Sequence, residues 1–252
     1  MRLSKYSANG NDFVIFDTNI REDFTSLTQT LCHRQDGIGA DGLIVIIPHE
    51  EYDFEWLFYN SDGSHADMCG NGSRACAHYA YVNGLAPKEM QFLTGAGVIK
   101  AVVEDGNEAS AMVLSELTPP EILDTTIAYN GNTWWLINTG VPHLVCIKEN
   151  VNEFDIEEAS ELRYKYNANV NICCVIGENL KVRTYERGVE AETLACGTGM
   201  AACFYRALQE KKVKDSIEVY PTSGETLYLG MNERTITFKG RVKNTFNTTW
   251  EV

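Results

Sequence analysis

One cysteine–glycine segment occurs twice in this chain. "CGNGSRACAHYA" (Cys69 to Ala80) and "CGTGMAACFYRA" (Cys196 to Ala207) share C-G-x-G-x-x-x-C and start 127 residues apart in a chain of 252. A second match, "ANGNDFVIFDT" against "YNGNTWWLINT", shares Asn-Gly-Asn, an aromatic-aliphatic run and a Thr at an offset of 121. Two matches in one order predict an internal duplication: two lobes of one topology, each with a C-G-x-G segment. Two copies are too few for a solenoid. A two-lobed protein with a ligand cleft between the lobes is expected.

Each half reads as strand-rich with one strong helix after its glycine motif. "EWLFYN" and "KVRTYE" run apolar or alternating into turn residues, and "SRACAHYAYVNG" and "MAACFYRALQEKK" have helical composition. Hairpins are predicted with turns at Asp105-Gly106 and near Asn232, and further helices from Thr25 and after a cap at Asp155. Strands and helices mix without steady βαβ alternation, which predicts an α+β fold of two pseudo-symmetric lobes, each a mixed or antiparallel sheet around a helix. The lobes are expected to span 1–117 and 118–240, parted near "ELTPPEIL", with 241–252 a terminal strand returning to the first lobe.

Composition removes several classes of function. The net charge of -14 disfavours a phosphate-backbone partner, so no nucleic acid is expected. With no apolar run of membrane length and no apolar leader in "MRLSKYSANGNDF", a soluble cytoplasmic protein that engages no membrane is predicted. "GIGADG" (Gly37 to Gly42) matches G-x-G-x-x-G, but a helix pattern precedes it and the β-branched run "LIVII" follows. That order predicts a turn into a strand and not a dinucleotide site. The eight cysteines show no C-x-x-C, and no H-x-x-x-H accompanies them, so no metal site is expected. Cys32, Cys76, Cys146, Cys173, Cys174 and Cys203 read as small apolar packing residues.

Cys69 and Cys196 differ because each stands where a helix begins. A thiol there lies near unpaired N–H groups and the positive end of the helix dipole, which favours the thiolate. The flanking glycines let an anionic ligand approach those N–H groups. Two such thiols facing one carbon suit inversion of a stereocentre, one removing a proton and the other delivering one. No pyridoxal motif is present, so no cofactor is expected.

Together the motifs resemble the diaminopimelate epimerase family over the whole chain: "GNDF", "GIGADG", "FYNSDGSHADMCGNGSR", "TGVPH", "NVN" and "YERGVEAETLACGTG" in family order. The resemblance implies cofactor-independent interconversion of LL- and meso-diaminopimelate in lysine and peptidoglycan precursor synthesis, by a homodimer. It implies Cys69 and Cys196 as the two bases, and Gly70, Asn71, Gly197 and Thr198 as donors to the substrate α-carboxylate. Asn11, Asn60 and Asn171 are implied to bind substrate, as are Glu186 and Arg187. His143, and again Glu186, would tune the thiols.

Two positions depart from the family pattern. Val141 stands in "GVPH" where many members have Asn, and Gly42 stands where some have Gln. Both leave the far end of the substrate with fewer amide contacts. Rival readings are a same-fold racemase of histidine, proline or hydroxyproline, and a non-catalytic thiol redox sensor. Asn71, where proline-type enzymes usually have His, argues against the proline-type enzymes.

Overall fold

In the first half of the computed structural model, which describes residues 1–251, the strands follow one another around a central helix. They are β1 (Arg2–Ala8), β2 (Asn11–Asp17), β3 (Gly42–Ile47), β4 (Phe54–Asn60), β5 (Glu89–Thr94), β6 (Gly97–Asn107) and β7 (Ser110–Glu116). The last strand of the chain, β16 (Thr235–Thr249), pairs with both β7 and β1, so the ring of strands closes into a barrel. Met1–Glu116 and the chain from Lys239 onward form one compact unit, and Leu117–Phe238 form the other.

Helix α2 (Gly70–Val82) fills this barrel and is buried from Gly70 to Ala80. A helix buried on all sides needs small residues where strands approach it, and Gly70, Gly72, Ser73, Ala75, Cys76, Ala77 and Ala80 supply them. They pack against Tyr6, Phe13, Ile44, Trp56 and Phe92. Strand β3 is buried along its whole length because α1 (Thr25–Cys32) covers its outer face, where Leu43 and Val45 meet Leu31 and Cys32.

The second unit runs β8 (Glu121–Tyr129), β9 (Asn132–Asn138), β10 (Pro142–Ile147), α3 (Ile156–Tyr166), β11 (Asn169–Ile176), β12 (Asn179–Glu186), β13 (Ala191–Thr193), α4 (Gly197–Gln209), β14 (Ser216–Tyr220) and β15 (Leu227–Asn232). Its sheet order is β8-β9-β10-β11-β12-β14-β15 and then the start of β16, with β13 pairing β12. Helix α4 packs on β9 to β12, and α3 covers the other face over Leu144, Val170, Ile172 and Cys174. Cys173 faces α4, its thiol against that of Cys203, so the two adjacent cysteines pack on opposite sides of the strand.

The two units share one plan, the α+β duplication that the sequence predicts. Parallel β2 and β3 are joined through α1 as β10 and β11 are through α3, and parallel β4 and β5 flank α2 as β12 and β14 flank α4. The Asn-Gly-Asn match, however, is not part of the duplication. Asn9-Gly10 turns β1 into β2, whereas Asn130-Gly131 turns β8 into β9, one strand out of step. Both turns have positive φ at Asn and at Gly (54° and 87°; 47° and 73°). A tight hairpin demands this of its two central residues, so turn chemistry and not common descent placed Asn-Gly twice.

The hairpin expected at Asp105-Gly106 turns three residues later, at Glu108-Ala109, where Asn107 pairs with Ser110 and its side chain accepts from the N–H groups of Ala109 and Ser110. Gly106 instead lies opposite Ala111 after a bulge, where an added Cβ would come within 2.4 Å of the Ala111 backbone. The glycine serves a close strand approach rather than the turn.

Candidate active site

Both cysteines of the repeat are the residues immediately before a helix. Cys69 (φ −149°, ψ 113°) and Cys196 (φ −120°, ψ 109°) are extended, and their carbonyls accept the first intrahelical bonds, from Ser73 and Met200. The opening N–H groups of each helix, those of Gly70 and Asn71 and those of Gly197 and Thr198, have no carbonyl one turn back within the helix to bond. The two thiols are used differently. Cys69 is half-buried, and its Sγ accepts from the N–H of Gly72 at 3.3 Å, so it caps its helix as a Ser or Asp would. Cys196 is buried and makes no such cap; its Sγ lies 3.5 Å from Thr198 Oγ1.

Around Cys69 the first unit places a chain of amides. Asn71 donates to Asn11 Oδ1 at 2.6 Å, and Asn11 donates to Asp41 Oδ2 at 3.1 Å. Arg74, buried in α2, donates to the side chains of both Asn71 and Asn9. Asp41 and Asp12 share Arg34, and Asp12 also holds Lys5 at 2.8 Å. Burial pushes the Asp12 carboxyl up, but the Arg34 and Lys5 hydrogen bonds and charges outweigh it and hold the pKa at about 2. Asn60, exposed at the end of β4 and opposite Gly42 on β3, donates to Ser64 Oγ at 3.0 Å.

Around Cys196 the second unit places an imidazole. His143 on β10 is fully buried; its Nε2 is 2.9 Å from Thr198 Oγ1 and its Nδ1 is 3.0 Å from Asn171 Nδ2. Desolvation, helped by the Arg187 charge, lowers its pKa to about 3. Glu186 ends β12 half-buried, and its carbonyl accepts from Glu190 N–H across the turn carrying Arg187. Arg187 donates its backbone N–H to Asn169 Oδ1 at 2.8 Å and its guanidinium to the Asn167 carbonyl at 3.0 Å. Val141 lies in the turn before β10.

Asn171 does not have the position expected of a substrate ligand. It is fully buried, its amide nitrogen is spent on His143 Nδ1 and on the Leu144 carbonyl at 3.1 Å, and its oxygen accepts from Thr184 Oγ1 at 2.8 Å. The structure also brings in four residues that the sequence reading passes over: Arg74, Thr184, Asn169, and Thr139, whose hydroxyl holds the Thr198 carbonyl at 2.9 Å. Thr139, Asn169 and Arg74 do carry a local signal, as the first residues of "TGVPH" and "NVN" and the last of "FYNSDGSHADMCGNGSR"; Thr184 carries none.

Among the described residues, no group of three or more His, Cys, Asp or Glu side chains is placed to hold a metal ion, and no helix is long and apolar enough to cross a membrane.

The diaminopimelate epimerase family model matches residues 3–123 and 135–242. A diaminopimelate epimerase of Nitratiruptor sp. is 59% identical over 249 residues, covering 98% of each chain. One of Helicobacter pylori is 42% identical over 260 residues, covering 96% of this chain and 94% of its own. Among solved structures, a probable proline racemase from Agrobacterium radiobacter aligns with a TM-score of 0.78 at 13% identity, covering 100% of this chain and 93% of that one. A phenazine biosynthesis protein of the PhzF family from Bacillus anthracis aligns with a TM-score of 0.74 at 15% identity, covering 100% and 99%. At these identities the structural likeness speaks for the fold alone.

Proposed function

Because the chain belongs to the diaminopimelate epimerase family, we propose that it interconverts LL- and meso-diaminopimelate without a cofactor, as a step of lysine biosynthesis, with Cys69 and Cys196 as acid and base. Inversion of one α-carbon requires one thiolate to take the α-proton while the other thiol gives a proton to the opposite face; the reverse reaction exchanges the roles. A thiol of reference pKa about 8.5 is a weak base for such a proton, and each unit of mismatch costs about 1.4 kcal/mol, so the developing charge must be stabilised. The N–H groups of Gly70, Asn71, Gly197 and Thr198 would do this through the substrate carboxylate. Asn11, Asn60, Glu186 and Arg187 would hold the polar groups of the substrate, and His143 and Glu186 would tune the thiols. Val141 and Gly42 offer no polar side chain at their positions. The reading includes a homodimer in the cytoplasm.

The observation that carries the proposal is the placing of Cys69 and Cys196 at one structural position in two copies of one fold, each at the opening turn of a buried helix. Incubating reduced protein with LL-diaminopimelate in deuterated water should form the meso isomer with one deuterium at the inverted carbon. No exchange at that carbon would overturn the assignment, and turnover of histidine or proline in its place would move the activity to another racemase of this fold.

A further inference from the structure

The strand registers allow the two units to be matched residue by residue. With Cys69 set on Cys196, the pair Ile44 and Phe58 of β3 and β4 corresponds to Asn171 and Thr184 of β11 and β12. Phe13, opposite Gly42, corresponds to His143, opposite Asn169. The helices confirm the match independently. An added Cβ at Gly72 would meet Ile44 at 3.4 Å, and one at the corresponding Gly199 would meet Asn171 Oδ1 at 2.3 Å and Thr184 Oγ1 at 3.2 Å. The apolar trio Phe13, Ile44 and Phe58 beneath Cys69 is therefore replaced beneath Cys196 by a buried polar trio, His143, Asn171 and Thr184. Buried polar groups cost stability unless they are fully bonded, so a trio used in one unit and absent from the other points to a task beyond packing.

The hydrogen bonds of the trio have only one consistent direction. The Leu144 carbonyl can only accept, so the Asn171 side chain turns its nitrogen toward it and its oxygen toward the Thr184 hydroxyl. The same nitrogen then gives its second proton to His143 Nδ1, which must accept. A neutral ring accepting at Nδ1 carries its proton on Nε2 and donates it to Thr198 Oγ1. The Thr198 hydroxyl, having accepted there, keeps its own proton to give to Cys196 Sγ, which as a thiolate can only accept. Burial keeps the ring neutral throughout.

We infer that Asn171 is a positioning residue that fixes the His143 tautomer, and that the relay Asn171–His143–Thr198 holds a hydroxyl proton on the sulfur of Cys196 and supports its thiolate. The inference rests on Cys196 being one of the two acid–base groups. Other charged or titratable neighbours of the relay are Arg187, which acts on His143, and Cys203, below Cys196 on α4.

The test reads the tautomer before it reads turnover. In protein labelled with nitrogen-15 at histidine, with the ring assigned through its bonded Cβ, His143 is expected to show a protonated Nε2 and a bare Nδ1 at neutral pH. A proton on Nδ1 would overturn the inference whatever the enzyme turns over, and a failed epimerase assay would leave this reading of the ring untouched. In Asn171→Asp a carboxylate faces Nδ1 and draws the proton there, so Nε2 becomes an acceptor and competes for the Thr198 proton. In that variant kcat is expected to fall about tenfold or more with KM within about twofold, because a residue that does not touch substrate acts on the chemical step. Asn171→Leu, close in size, should give a mixed tautomer and an intermediate loss. A raised KM with kcat preserved would make Asn171 a substrate ligand and refute the relay.

Discussion

His143 joins the chemistry of its unit to the stability of that unit. An unfolded histidine titrates near 6.5, while His143 stays neutral down to about 3. Between these values the unfolded chain binds the additional proton, so acid favours unfolding. The contribution is complete above about pH 6.5 and shrinks by up to about 1.4 kcal/mol per unit as pH falls toward 3. Urea midpoints taken between pH 7 and pH 5 should fall in the wild type, and His143→Gln should flatten that slope by about one proton. Among the cysteines, Cys69→Ala and Cys196→Ala are each expected to abolish interconversion, while Cys76→Ala and Cys203→Ala, which remove buried sulfurs from the two helices, should keep turnover and lose only about 1 kcal/mol of stability. Full activity in either of the first pair would refute the two-base reading. These residues were legible in the sequence because the Cys-Gly pattern is local and repeated. The role of Asn171 was not, because its partners His143, Leu144 and Thr184 lie on neighbouring strands, and only strand pairing brings them together.

At the scale of elements, the contact between α4 and β11 transmits any change in helix packing to the relay. Gly199→Ala improves helix propensity on paper, yet its Cβ would press on Asn171 Oδ1. Overpacking of this kind costs about 1–3 kcal/mol and should outweigh the gain. The expected result is a lower melting temperature together with a displaced His143 resonance; a stabilised variant with an unchanged resonance would contradict the packing described here. The helices themselves were legible, since α2, α3 and α4 announce their starts through Cys69, Asp155 and Cys196. Hairpin turns were less so. Asp105-Gly106 and the second Asn-Gly-Asn look alike as turn signals, but a bulge takes one into a strand and strand order takes the other out of the duplication. Both outcomes depend on partners far away in the chain.

At the scale of the whole molecule, the first barrel is completed by residues that follow the entire second unit. β16 begins in the second unit and, from Lys239 on, belongs to the first, where it pairs with β1 from Arg2↔Thr249 to Ser7↔Lys243. Removing residues 243–252 should expose an edge of β1 and speed amide hydrogen exchange in β1, with little change in β10 to β12. Equal loosening of both units would argue against closure by this strand. The same threading sets an order of events during synthesis. On the ribosome β1 emerges first and must wait for its second neighbour until more than two hundred further residues have been made, so the unit encoded first is the one completed last, and its open seam is where a nascent chain of this design is most in need of a chaperone.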